Sequence, residues 1–214
     1  MTILSTEIAV CPLDGTRYEY AGLLSYGTYG CGLDGLPVAL TPMPHRIPRC
    51  PTCAFPAWIE KLTDAELAKA RALVETPAYA AMTPEPSYAH LDFVLTEIGR
   101  GTVLQRADHL LKACWQTSTG SPDNVAYARA LGEAADAASD EMITAGVENW
   151  VAFQIFVANI ERQAGDFKRA AARLDQIGTV TATDAKMDLR IALTRRLISD
   201  KDISRVETLP EEAT

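Results

Sequence analysis

Three short stretches of the chain place a cysteine beside turn-forming residues, and these are the stretches whose chemistry is easiest to infer. They are Cys11-Pro-Leu-Asp14-Gly15, Cys31-Gly-Leu-Asp34-Gly35 and Cys50-Pro-Thr-Cys53. A structural zinc ion takes four ligands in a tetrahedron and prefers thiolate or imidazole, and two cysteines separated by two residues fit one tight turn, called here a knuckle. Cys50 and Cys53 therefore predict half of a zinc site.

The other half of the site is predicted from Cys11 and one further ligand. Cys11 lies in a second knuckle-like sequence, within a Gly- and Pro-rich segment that gains stability from a metal. Cys31 is favoured as the fourth ligand, because a thiolate is the stronger donor and Asp14 would place its charge among three thiolates. Asp14 is the alternative, since it occupies the knuckle position itself and zinc accepts carboxylates. His45 is a third candidate, although a single histidine in a Pro-rich loop is usually a surface residue.

Two interpretations compete with zinc. The cysteines can be reduced residues packed in a loop-rich domain, or Cys50 and Cys53 can form a dithiol that exchanges with disulfides. Such a dithiol normally opens a helix after an apolar strand, whereas Pro48 and Pro56 flank this pair. Zinc-dependent deamination requires His-x-Glu upstream of the cysteine pair, and the sequence lacks it. The flanking residues therefore favour a knuckle.

Composition divides the chain near Trp58. Before it, Gly and Pro recur, and stretches such as TRYEYAGLLSYG and LPVALTP resemble short strands between turns. After it, helical spacing begins with KLTDAELAKARALVE, in which Thr63 and Glu66 are set as a capping box. Six further helices are predicted in SYAHLDFVLTEIG, TVLQRADHLLKACW, DNVAYARALGEAADAAS, NWVAFQIFVANIERQAG, DFKRAAARLDQI and DAKMDLRIALTRRLI.

The predicted fold class is α+β. A small β-rich, zinc-ribbon-like domain is expected over residues 1–59 and a helical domain over residues 60–200, followed by a polar tail over residues 201–214. The helical domain is either tetratricopeptide-like or an antiparallel bundle, since i, i+4, i+7 spacing describes both.

One segment matches the tetratricopeptide pattern, with a Gly165-Asp166-Phe167 turn followed by Ala170, Leu174 and Ile177 at the expected offsets. Cys114, in an Ala- and Leu-rich helix, is predicted to be a packed core thiol.

The motifs around the cysteines also resemble a known family. CP at Cys11, SYGTYGCGLDGLP and RCPTCAFPAW are similar to the N-terminal zinc-ribbon part of the DUF2225 family, which comprises uncharacterised bacterial proteins. The resemblance covers about the first quarter of the chain and implies a zinc ribbon followed by tetratricopeptide-like helices, without an assigned activity. Asp14 and Ala54 depart from the family pattern, which has Cys and Gly at these positions.

Charge and composition narrow the function classes. A net charge of −8 and a pI near 4.9 disfavour nucleic acid as a partner, because nucleic-acid binders carry clustered Lys and Arg. No apolar run is long enough for a membrane span, and the first residues do not resemble an export signal. Five cysteines without such a signal indicate a reducing compartment, so a cytoplasmic location is expected.

Catalytic motifs are scarce in the sequence. It contains no Gly-rich phosphate loop, Gly-x-Ser-x-Gly or His-Glu-x-x-His. His90 and His109, near Asp92 and Asp108, are expected on solvated helix faces.

The favoured function is therefore an adaptor whose helices bind a protein or peptide, with zinc as a structural ion. The alternative is a zinc-dependent enzyme or a thiol-redox protein that uses Cys50 and Cys53. The sequence does not specify an oligomeric state.

Overall fold

The structure is a computed structural model that describes residues 3–25, 27–39, 45–59, 61–180 and 184–206. It confirms the α+β class, with an N-terminal β hairpin followed by helices. The strands and helices within the described residues are β1 Ile3–Val10, β2 Arg17–Ser25, β3 Thr28–Cys31, β4 Pro37–Ala39, α1 Asp64–Val74, α2 Pro77–Met82, α3 Ser87–Ile98, α4 Val103–Trp115, α5 Pro122–Ala137, α6 Ser139–Ala145, α7 Val147–Gln163, α8 Phe167–Val180 and α9 Ala185–Ser199.

The chain forms two compact units that interleave along the sequence. The first unit comprises Met1–Gly27 and Leu40–Thr102, and the second comprises Thr28–Ala39 and Val103–Thr214. This division differs from the expected boundary at residue 59. The reason is that α1–α3 follow the second knuckle within the first unit, while the hairpin β3–β4 is bonded to helices of the second.

In the first unit, β1 and β2 pair antiparallel from Ile3↔Ser25 to Val10↔Arg17. The Cys11 knuckle is therefore the turn of this hairpin. Strand β2 lies within the predicted TRYEYAGLLSYG, whereas β1 was not predicted. Of the expected LPVALTP strand, Pro37–Ala39 form β4. The last three residues of this stretch, 40–42, lie outside the described residues.

Helices α1–α3 complete the first unit. Thr63 and Glu66 form the predicted capping box at the start of α1, and Thr76 caps α2, which has Pro77 in its first turn. Apolar residues of α1 and α3 are buried, among them Ala70, Leu73, Leu91, Val94 and Ile98. Helix α2 was not predicted, because six residues are too few to show a helical period.

The expected solvated position of His90 and Asp92 is wrong. The exposed fractions of the two side chains are 0% and 7%, because α3 packs against both α1 and α2. The His90 ring lies edge-on to Tyr79 with centroids 5.0 Å apart, and neither ring nitrogen has a hydrogen-bond partner among the described residues. Burial, followed by the charge of Arg49, lowers the pKa of His90 to about 4, so His90 is neutral near pH 7. His109 is half-buried.

Helix α7 is the central element of the second unit. It contacts α4, α5, α6, α8 and α9 among the described helices, and residues on most of its faces are buried. Gly165, with φ +83°, forms the turn between α7 and α8. The predicted face of α8 is confirmed, since Ala170, Leu174 and Ile177 are at most 1% exposed. Cys114 is also buried, in the core between α4, α5 and α7. A tetratricopeptide-type repeat stays a prediction.

The second unit also contains a buried ion pair. Arg173 donates two hydrogen bonds to the carboxylate of Glu161, at 3.0 and 2.8 Å, and Arg169 lies 3.1 Å from the same carboxylate. Burial raises the pKa of Glu161 even though both arginines oppose the rise. The buried Glu161 carboxylate is thus paired with two arginine side chains of the same unit.

Among the described residues, no helix has the length and apolar character needed to cross a membrane.

Candidate metal centre

The first knuckle is closed by two backbone hydrogen bonds. Cys11 N–H donates to the carbonyl of Thr16 at 2.9 Å, and Gly15 N–H donates to the carbonyl of Cys11 at 3.0 Å. Gly15 has φ +74°, a left-handed conformation that glycine adopts without strain. The turn thereby brings the side chains of Cys11 and Asp14 together.

The second knuckle repeats this pattern. Cys50 N–H donates to the carbonyl of Phe55 at 2.9 Å, and Ala54 N–H donates to the carbonyl of Cys50 at 2.8 Å. Ala54, which corresponds to Gly15, has φ +58°, a left-handed conformation that is strained for alanine. In this correspondence Asp14 occupies the position of Cys53.

The two knuckles bring four possible ligands together, namely Cys11, Asp14, Cys50 and Cys53, whose ligand atoms all lie within 4.8 Å of one another. The Sγ atoms of Cys11 and Cys53 are 3.5 Å apart, and Cys50 Sγ lies 3.6 Å from Asp14 Oδ2. The three thiols are free. Tetrahedral zinc requires about 3.8 Å between two sulfurs and about 3.5 Å between sulfur and oxygen. The group can therefore hold a metal ion of this geometry.

Asp14 is oriented by its own turn. Its Oδ1 accepts a hydrogen bond from Thr16 N–H at 2.9 Å, which leaves Oδ2 directed at Cys50. The hydrogen bond from Thr16 lowers the pKa of the Asp14 carboxyl to about 2, so the side chain is anionic at neutral pH. A hydroxyl contact of 3.1 Å between Thr16 and Thr52 links the two knuckles directly.

The thiols differ in their tendency to ionise. Burial raises the pKa of Cys11 and of Cys53. Burial also opposes ionisation of Cys50, but hydrogen bonds from the backbone N–H groups of Cys53 and Thr52 and from the thiols of Cys53 and Cys11 together lower its pKa. Metal binding at such a group releases protons, because the ligands must be thiolates.

No protein-family model matches this chain, and no curated protein or solved structure is significantly similar to it.

The second knuckle is hydrogen-bonded to α2 and to the segment between α2 and α3. Tyr79, 3% exposed, donates its hydroxyl to the carbonyl of Cys53 at 2.9 Å. Arg49 donates to the carbonyls of Thr83 and Glu85, the latter at 2.8 Å. The sequence analysis missed these supporting residues, since neither belongs to a recognisable motif. These hydrogen bonds therefore connect the cysteine group to the helical part of the first unit.

Cys31 is not a member of the metal-ligand group. It belongs to the second unit, where Arg190 donates to its carbonyl at 3.4 Å and lies 3.6 Å from its Sγ. His45, half-buried in the first unit, is not in the group either. Of the three candidates for the fourth ligand, the structure brings only Asp14 to the other cysteines.

The turn after Cys31 resembles the first knuckle but has different partners. Gly32 N–H donates to the carbonyl of Leu36 at 2.9 Å, and Leu36 N–H donates to Asp34 Oδ1 at 3.1 Å. Asp34 is fully buried and accepts from Gln163 at 3.1 Å and from Arg205 at 2.8 Å. In this copy of the Cys-x-Leu-Asp-Gly sequence, protein side chains satisfy the aspartate.

Proposed function

We propose that the protein binds one zinc ion through Cys11, Asp14, Cys50 and Cys53, and that the ion holds the first unit together. The observation that carries the proposal is the shared hydrogen-bond pattern of the two knuckles, which places Asp14 where the second knuckle has Cys53. Three thiolates favour zinc over magnesium or calcium, which prefer oxygen ligands. Asp14 replaces Cys31 in the ligand set that we propose.

The proposed role of the ion is structural. Four protein ligands fill a zinc tetrahedron, whereas catalytic zinc sites keep one position for water or substrate. The ion joins a hairpin turn to a knuckle that follows 36 residues later, within the Gly- and Pro-rich segment before Trp58. A metal contributes most to stability in such a segment.

Zinc content of purified full-length protein tests the site. We expect one zinc per chain, and we expect Asp14→Asn to weaken zinc retention against a chelator by more than about tenfold, because even changes outside the ligand shell have effects of that size. Asp14→Cys should strengthen retention, since it completes a four-thiolate site. Cys31→Ser is the matched control and should retain zinc as the wild type does. Loss of zinc in Cys31→Ser together with retention in Asp14→Asn would contradict the ligand set.

We further propose that the protein acts as an adaptor, with the helical part of the second unit as its partner-binding surface. A cavity of about 230 Å³ supports this proposal. It has a partly apolar wall and side chains of both charges, and its lining residues are Val125, Ala128, Arg129, Glu161, Ala164, Gly165, Asp166 and Arg169. Arg173 and Arg169 already pair with Glu161, so the exposed Arg129 is the group best suited to bind a carboxylate of a peptide.

Co-purification with tagged full-length protein, quantified by mass spectrometry, tests the adaptor proposal. A genuine partner should be lost when Arg129 is changed to Glu and kept when Arg195 is changed to Glu. Arg195 is a matched control, because its side chain is 54% exposed on α9 and pairs with an exposed Asp175. Partners that bind both variants equally would contradict the assignment of this cavity.

A further inference from the structure

The proposed zinc site has an odd number of thiols. Cys11, Cys50 and Cys53 contribute one sulfur each, and Asp14 contributes a carboxylate that cannot form a disulfide. A two-electron oxidation of this group can therefore join only two of the three sulfurs. The third thiol is left with Asp14, and two protein ligands do not complete a zinc site.

Geometry distinguishes the three thiols. Cys11 Sγ lies 3.5 Å from Cys53 Sγ, whereas Cys50 Sγ lies beside the carboxylate of Asp14, at 3.6 and 3.8 Å from its oxygens. Cys11 and Cys50 are 3% and 2% exposed, while Cys53 is only partly buried. Cys53 is thus the most exposed of the three residues, and its sulfur is in contact with that of Cys11.

We propose that Cys53 is an oxidation site for peroxide and that Cys11 resolves it as a Cys11–Cys53 disulfide, which releases the metal. The release step rests on the proposed zinc site. The pairing is not the one expected from the sequence, in which Cys50 and Cys53 are the closest cysteines.

The reaction balances with hydrogen peroxide as the oxidant. The Cys53 sulfur, which is a thiolate when it binds the metal, attacks one peroxide oxygen, the O–O bond breaks, and the departing hydroxide takes a proton from solvent to form water. The Cys11 thiolate then attacks the sulfur of the Cys53 sulfenic acid, and a second hydroxide leaves as water. Two electrons pass from the two sulfurs to peroxide. A dithiol reductant reverses the disulfide and restores the ligands.

Disulfide mapping of zinc-loaded, full-length protein tests the proposal. The protein is treated with hydrogen peroxide and quenched with N-ethylmaleimide, and its peptides are mapped by mass spectrometry while a chromogenic chelator records free zinc. We expect a Cys11–Cys53 disulfide, an alkylated Cys50 and one zinc released per disulfide. Dithiothreitol followed by zinc should restore the starting material.

Oxidation in guanidinium provides the reference for an unfolded chain. There, the short loop between Cys50 and Cys53 makes that pair the favoured disulfide, so a native Cys11–Cys53 product reports the folded arrangement. A Cys50–Cys53 disulfide in native protein, or a Cys53 that peroxide leaves unmodified, would overturn the proposal. Protein that contains no zinc before oxidation but still forms the Cys11–Cys53 bond would contradict the proposed zinc site and leave the pairing intact.

Two variants separate the roles of the sulfurs. Cys11→Ser should stop the reaction at a Cys53 sulfenic acid that dimedone traps, whereas Cys114→Ser, a change to a buried core thiol, should leave the disulfide unchanged. If Cys11→Ser unfolds the first unit, the wild-type disulfide map decides the matter.

Discussion

The sequence Cys-x-Leu-Asp-Gly occurs twice, at Cys11–Gly15 and at Cys31–Gly35, and the two copies have different surroundings. In the second unit, Asp34 is buried against Gln163 and Arg205. In the first unit, Asp14 is exposed and lies beside three thiols. One copy is completed by polar and cationic side chains of the protein, and the other lies beside three further possible metal ligands. The comparison shows that the residues which meet a turn, and not the turn itself, determine whether it suits a metal.

Removal of the metal should have the largest effect on stability. It should affect only the first unit, which contains the Cys11–Gly15 copy of the motif. Structural zinc contributes on the order of 10 kcal/mol to folding, so a chelator should unfold the first unit and leave the second intact. Hydrogen exchange resolves the two units and should show lost protection in α1–α3 with retained protection in α7. Trp58 is a poor reporter, because it is already 50% exposed. Equal loss of protection in both units would contradict their independence.

The Asp34→Asn variant tests the other copy of the motif. Removing the charge leaves Arg205 without its buried counter-ion, and we expect a loss of about 3 kcal/mol in the free energy of unfolding of the second unit. Urea unfolding followed by tryptophan fluorescence measures it, since Trp115 donates to the carbonyl of Asp34. Zinc content should not change. Asp14→Asn is the matched variant, and it should lower zinc content while leaving the stability of the second unit unchanged.

The stability of the first unit at acid pH should depend on His90, a buried residue that belongs to neither cysteine motif. Its folded pKa of about 4 lies below the unfolded value of about 6.5, so the unfolded state binds the proton first as pH falls. The first unit should therefore lose about 2–3 kcal/mol between pH 6.5 and pH 4 through this residue. His90→Phe should flatten that part of the stability curve relative to wild type, with acid release of metal common to both proteins. Parallel curves would contradict the prediction.

Overpacking the contact between α7 and α8 should affect the second unit alone. Ala170 is fully buried, and its replacement by Leu should cost about 1–3 kcal/mol. Ala172→Leu introduces the same side chain at an exposed position of the same helix and should change stability by less than about 0.5 kcal/mol. Arg169 does not serve as such a control, because it pairs with Asp136 and Glu161. Thermal unfolding of zinc-loaded protein measures both variants.

The smallest expected effect is a stabilisation at the second knuckle. Ala54 has φ +58°, which costs an alanine about 1–2 kcal/mol, while glycine loses more conformational entropy on folding. Ala54→Gly should therefore stabilise the first unit by about 0.5–1 kcal/mol, as chelator-free thermal unfolding would show. A destabilised variant would mean that the Ala54 methyl group contributes packing energy that exceeds the strain.

Sequence reasoning succeeded where the signal is local. Apolar spacing predicted α1, α3, α4, α5, α7, α8 and α9, and the spacing of Cys50 and Cys53 with the knuckle around Cys11 indicated three ligands that the structure brings together.

Sequence reasoning did not separate Asp14 from Cys31 as the fourth ligand. Donor strength favoured Cys31, but its surroundings depend on Arg190, which lies 159 residues away. The repeated Leu-Asp-Gly indicates that each aspartate accepts from the backbone N–H two residues later, but it does not indicate which of the two turns meets the other cysteines.

The hairpin β3–β4 has a consequence for how the protein is made. Arg205 follows its partner Asp34 by 171 residues, so at ribosomal speeds about 10 to 30 s pass between the synthesis of the two. During that interval the hairpin has emerged without the helices that bury its aspartate, while the first unit is complete after Thr102 and can already bind the ion that we propose. We expect the first unit of a nascent chain to fold before the second. The twelve residues from Thr28 to Ala39 then remain a loop until the helices of the second unit have been synthesised.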